Sequence, residues 1–75
     1  MDWTPHLSSD PAILHGQLCL HGTRIPVSLV LDHLAAGYDL DGIIAEYPSL
    51  TREAILAVVA YAADLARERI LRIPA

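Results

Sequence analysis

The chain has no lysine, and its five arginines face nine acids, for a formal net charge of −4. Phosphate neutralisation supplies most nucleic-acid affinity, so a broad basic face is the usual mark of such binding. That mark is missing. DNA contact would need the few arginines focused on one face, doubled by dimerisation or helped by a partner. Cysteine is scarce too, because Cys19 stands alone. This excludes a disulfide framework and zinc-type cysteine spacing, and it points to a reducing, cytoplasmic setting. The longest apolar run, Ala54 to Ala63, is ten residues. A bilayer-spanning helix takes about twenty, so no membrane span is expected. Met1-Asp2-Trp3-Thr4-Pro5 lacks the basic and apolar segments of a signal peptide. There is no phosphate-cradling glycine loop and no nucleophile spaced beside a base. A protein without enzymatic activity, cofactor or resident metal is the expectation. The acids Asp32, Asp39, Asp41 and Glu46 read as caps and solvated helix faces.

What the chain does have is apolar surface. Of its 75 residues, 53% are hydrophobic, and the mean hydropathy is +0.37. A chain this short makes one small domain and buries only about two-thirds of its unfolded surface. It therefore carries more apolar material than a monomer hides, and association, first of all with itself, is the expectation.

The sequence divides into an extended arm over residues 1–25, a helical core over 26–69 and an apolar tail over 70–75. Pro5, Ser8, Ser9 and Asp10-Pro11 favour irregular structure at the start. Between Leu14 and Ile25, Leu18-Cys19-Leu20 and Thr23-Arg24-Ile25 flank His21-Gly22 as two short strands would flank a tight turn. So small a hairpin is barely stable alone. Its strand, carrying Leu18 and Leu20, is expected to pack on the helices or to pair with a second copy.

Three helices are predicted. The first runs from about Pro26, a residue suited to a helix start, to Ala36, with Gly37 as its stop. Val27, Val30, Leu31 and Leu34 form its apolar stripe. The second runs from about Leu40 to Tyr47, capped by Asp39 and ended by Pro48. The third follows the N-cap Thr51, with Leu50 and Ile55 placed as a hydrophobic staple, and reaches at least Arg69. Its spacing assigns Ile55, Val58, Val59, Ala62, Leu65 and Ala66 to the core. Leu56, Ala57, Ala60 and Ala63 form a second face that either serves an interface or reflects alanine's high helix propensity. The tail residues Ile70, Leu71 and Ile73 alternate with arginine, and with Leu56, Ala60 and Ala63 they complete the expected partner surface.

At this point the residues resemble a known bacterial family. The run Ser9-Asp10-Pro11, His15-Gly16, Leu18 to Val27, Leu34-Ala35-Ala36-Gly37, Ile43 to Thr51 and Ala60-Tyr61-Ala62 is similar to the family called domain of unknown function 433. The Gly-Thr-Arg-Ile-Pro-Val and Tyr-Pro-x-Leu-Thr stretches are its most specific elements. The resemblance implies a mainly α, homeodomain-like domain of helix-turn-helix type with a short N-terminal β-hairpin or arm. It also implies a VapB-like antitoxin, a small regulator of a toxin–antitoxin system paired with a PIN-like ribonuclease toxin and binding its own promoter; the lysine-free, acidic composition favours the alternative, a dimerising protein-interaction module without DNA binding. Where that family usually has Gly-Lys-Pro, this chain has Gly16-Gln17-Leu18, and His21 stands where arginine is common. Two cationic positions are thus neutral.

The sequence offers three candidate sites. In a helix-turn-helix the N-terminal residues of the second helix, here Thr51, Arg52 and Glu53, lead into the major groove, where Thr51 would contact phosphate and Arg52 phosphate or a guanine edge. The same residues also fit a plain three-helix core with a capped third helix. Arg24 would contact phosphate or a partner, or instead form an ion pair with Asp10, Asp32 or Glu46. His15, Cys19 and His21 share strand parity, but they offer only three ligands where structural zinc takes four. No metal site is expected, and Cys19 reads as a small buried apolar residue.

Overall fold

The computed structural model describes residues 1–68. It contains three helices, α1 (Val27–Ala35), α2 (Leu40–Glu46) and α3 (Arg52–Glu68), and a two-stranded antiparallel sheet, β1 (Leu7–Ser8) and β2 (Cys19–Leu20). The tail residues Ile70, Leu71 and Ile73 lie outside the described residues, as does Arg69.

Local chemistry sets the helix ends. Pro26 is extended and caps α1 instead of opening its first turn. Gly37 takes φ 98° after α1 and donates its N–H to the Leu34 carbonyl at 3.1 Å, a left-handed stop that glycine adopts freely. Asp39 caps α2, its Oδ1 accepting the Gly42 N–H at 2.7 Å. Thr51 caps α3, its Oγ1 accepting the Ala54 N–H at 3.1 Å. Leu50 and Ile55, the predicted staple, are both buried.

The arm differs from its expected form. The segment expected to be irregular supplies β1, which pairs Leu7 with Leu20 and Ser8 with Cys19. The other side of β2 is closed by Ile25 and Val27: Leu20 N–H donates to the Ile25 carbonyl and Val27 N–H to the Leu18 carbonyl, each at 3.0 Å. The turn between them has Gly22 at φ 78°. Thr23 locks it, its Oγ1 donating to the Leu20 carbonyl at 2.7 Å and accepting the Ile25 N–H at 3.0 Å. Both sides of β2 are therefore served within the chain, and no strand from a second copy is needed. Leu20, expected at an interface, is 1% exposed and belongs to the core.

Ahead of β2 the backbone is not extended. Leu14, His15 and Gly16 all take positive φ, at 50°, 58° and 82°. For the two non-glycine residues this conformation costs roughly 1–2 kcal/mol each. The turn is held by the Ser9 hydroxyl donating to the Gly16 carbonyl and by the Ile13 N–H donating to the Asp10 carbonyl at 2.8 Å. It also breaks the strand parity that would align His15 with Cys19 and His21.

The core joins Leu7 and Leu20 of the arm to Val27 and Val30 of α1, Ile43 of α2, Leu50, and Ile55 and Val58 of α3. Full burial of one such side chain contributes about 1.5–3 kcal/mol. α3 is rotated from its expected setting. Ala57 is fully buried, whereas Val59 and Leu65 are 43% and 40% exposed and Ala66 is exposed. Two packing facts explain this. Trp3 of the arm packs edge-to-face on Tyr61 at 4.9 Å and donates its indole N–H to Asp64 at 2.6 Å, which draws the Tyr61 side of α3 inward. The 17 residues of α3 also outrun the nine of α1, so its last turns lack a facing helix.

His33 ties α1 to α2. Its Nδ1 lies 2.8 Å from the Leu29 carbonyl and its Nε2 2.9 Å from a Glu46 carboxylate oxygen. The Tyr38 hydroxyl donates to the other Glu46 oxygen at 3.1 Å, and the rings of Tyr38 and Tyr47 meet the imidazole edge-to-face. Both ring nitrogens face acceptors, so both must donate. The Leu29 carbonyl, then Glu46, raise the His33 pKa above its ordinary value of 6.5, with Asp32 adding a smaller pull in the same direction. Glu46 likewise raises the Tyr38 pKa. A group whose pKa is raised on folding stabilises the fold below its unfolded value, and that contribution fades as pH climbs through the folded value. Thermal melts of the wild type and His33→Gln check this. The advantage of the wild type is expected to be largest near about pH 5.5 and to shrink by about pH 8.5. A pH-independent difference would mean that the ring is neutral in the folded protein.

Candidate interaction surfaces

With the core complete, three surfaces retain the chemistry to meet a partner. The first is an apolar groove of about 200 Å³ lined by Gln17, Leu18, Val27, Ser28, Leu31 and Tyr61. Here the chain enters β2 beside the start of α1, with Gln17 bridging to Ser28 at 3.1 Å and the Val27 N–H donating to the Leu18 carbonyl at 3.0 Å. Leu18, expected at an interface, is half-buried and forms one wall. Leu65 follows Tyr61 by one helical turn and presents a further exposed apolar side chain on the same side of α3.

The second surface flanks the His21–Arg24 turn. On one side a cleft of about 500 Å³ is lined by Ser8, Asp10, Ile13, His21, Gly22, Thr23 and Arg24. On the other, a cleft of about 190 Å³ brings His6, His21 and Thr23 against Ser49, Leu50 and Thr51. The stretches 22–27 and 47–51 thus meet in space. Arg24 is exposed and forms no ion pair among the described residues, so the expected partners Asp10, Asp32 and Glu46 do not hold it.

The third surface is the outer face of α3. Leu56 is 45% exposed, and Val59, Ala60 and Ala63 share its side of the helix. Thr51 and Arg52 stand at its N-terminal end. The Thr51 hydroxyl oxygen is committed to its cap. Arg52 reaches back to Asp41 of α2 at 3.1 Å, in an exposed pair worth about 0–1 kcal/mol. It remains available to a stronger anion. Between Glu53 and Asp64, this face offers no polar side chain.

Cys19 is buried, its thiol 3.4 Å from the Gln17 carbonyl. Among the described residues no three His, Cys, Asp or Glu side chains gather closely enough to hold a metal ion. No helix among them is long and apolar enough to cross a membrane. Neither the Trp3 latch nor the groove is visible in the periodicity of the sequence. The lone tryptophan is the available signal for the first, since a buried indole generally finds an acceptor.

Comparison with known proteins agrees with the fold. No curated protein matches the chain. A crystal structure of a DUF433 member protein from Anabaena variabilis is similar, at 27% identity and a TM-score of 0.74. The similarity covers 84% of this chain and 62% of that one, so the chain spans less than two-thirds of the length of that protein. The sequence profile described as "Protein of unknown function (DUF433)" matches residues 7–62, and with the helices, sheet and turn motifs now placed, the chain belongs to the DUF433 family.

Proposed function

We propose that this chain is a small antitoxin-type regulator that acts as a dimer through protein contacts, masking a partner protein instead of catalysing a reaction. The observation that carries this reading is the exposed apolar surface that remains once the core is closed: the Leu18–Leu31–Tyr61 groove on one side of α3 and Leu56 with Val59 on the other. Contiguous apolar surface on so small a domain favours protein partners. The net charge of −4 suits a basic partner surface such as a nuclease presents. The resemblance to VapB-like antitoxins supplies its class, a PIN-like ribonuclease toxin.

The locus and a co-expression experiment test this. A PIN-like product encoded beside this chain is expected to co-elute with it on size exclusion. Leu18→Glu is expected to separate the two while the helical circular dichroism is retained. Separate elution of the wild-type pair, or a locus without such a neighbour, would contradict toxin masking.

A second reading, promoter binding, draws on one feature. α2, the Tyr47–Thr51 turn and α3 follow the order of a helix-turn-helix, with Thr51 and Arg52 exposed where that motif approaches DNA. The outer face of α3 argues against it, being apolar where base-reading side chains would stand. If promoter DNA is bound, Arg52→Ala is expected to weaken the complex several-fold in a low-salt gel shift, and Arg24→Ala to do so less. Equal titrations for all variants would remove both arginines from the contact.

A further inference from the structure

The proposed dimer has a natural interface on α3, an assignment that rests on that functional reading. α3 packs against α1, α2 and the arm along one side. At about 100° per residue, Leu56, Val59, Ala60 and Ala63 share one sector of the opposite side. Leu56 and Val59 are 45% and 43% exposed, large apolar side chains that nothing among the described residues covers. Ala60 and Ala63 leave room for a second helix to come close.

Charge then fixes the direction of that second helix. Glu53 and Arg67 lie on the same flank of the apolar sector, with Ala60 midway between them in sequence. Arg52 falls on the other flank, where it bonds Asp41. Arg67 has an exposed partner of its own, Asp64 at 3.4 Å, in a contact weak enough to exchange. A parallel second helix, related by a two-fold along the helix axes, would send Glu53 and its copy to opposite flanks of the seam, and Arg67 likewise, pairing neither charge. An antiparallel one, related by a two-fold axis at Ala60, sets Glu53 of each copy against the partner's Arg67, twice, and lays Leu56 over the partner's Ala63. Such a contact is isologous and closes on itself.

The geometry points to a two-fold dimer formed by antiparallel packing of α3 on a second copy of α3, centred on Ala60 and registered by reciprocal Glu53–Arg67 pairs. This arrangement covers the outer face of α3, so that face is closed to the DNA major groove. It leaves the Leu18–Leu31–Tyr61 groove of each copy open to a different protein.

Cross-linking and sedimentation test it. Ala60→Cys is expected to give a disulfide-linked dimer under mild oxidation, because only the axis residue meets its own copy; native Cys19 is 3% exposed and does not compete. Glu53→Cys alone is expected not to link, its two copies lying roughly 21 Å apart along the helices. A mixture of Glu53→Cys and Arg67→Cys is expected to link across the pair. In sedimentation from micromolar to millimolar protein, Glu53→Arg should weaken the dimer about tenfold, and adding Arg67→Glu should restore it. A dimer that ignores the charge reversals and never links at Ala60 would overturn the α3 interface while leaving dimerisation standing. A concentration-independent species of 8.2 kDa would overturn both.

Discussion

Leu7 and Leu20 enter from the arm into the same apolar cluster as Ile55 and Val58 of α3, and Trp3 fastens the beginning of the chain to Tyr61 and Asp64 near the far end of that helix. The other contacts depend on this closure of the arm against α3. A domain of this size has little core to spare, and without the arm α3 would present the Tyr61 side to water as well as the Leu56 side. With the arm in place, the inner face of α3 is complete and the turn at Gly22 is fixed. What remains apolar is confined to the groove beside Leu18 and the outer face of α3. The position of the exposed apolar surfaces is thus a consequence of how the arm is used.

The capping chemistry was legible in the sequence because it is local. Asp39, Thr51, Gly37 and the Leu50–Ile55 staple each act within one helical turn, and each sits where its residue type predicts. The arm was not, because its structure depends on pairings across many residues. Leu7–Ser8 is too short to carry a strand signal, and it becomes a strand only because β2 stands opposite. The left-handed turn at Leu14–Gly16 goes against the propensity of two of its residues and is held by Ser9 and Asp10. The rotation of α3 was hidden for a related reason. Val59 and Ala57 both fit an amphipathic pattern, and the choice between them is made by Trp3, more than fifty residues away in the chain, a distance at which periodicity carries no information.

The candidate sites divide along the same line. Thr51 and Arg52 are exposed at the start of α3, where the sequence puts them, but the face beyond them is apolar and acidic. Arg24 is exposed beside a cleft and is bound by none of the acids expected to pair with it. Leu18 reaches a surface groove, whereas Leu20 lies inside the core. The two have the same parity along the chain, so alternation alone would put them on one face. What separates them is depth: Leu18 precedes β2 and stands at the rim beside α1, while Leu20 sits opposite Leu7 under α3.

The central claim is that the arm is closed within a single chain, so that the remaining apolar surface is left to the groove beside Leu18 and the outside of α3. Amide hydrogen exchange in dilute, monomeric protein tests it most directly. The Leu20, His21 and Val27 N–H groups bond to Ile25, His6 and Leu18 of the same chain. They are expected to be protected to a degree comparable with the inner face of α3, at any protein concentration. Free exchange of these amides in the dilute protein, with protection gained only as concentration rises, would show that the arm is completed by a second copy and would contradict the account.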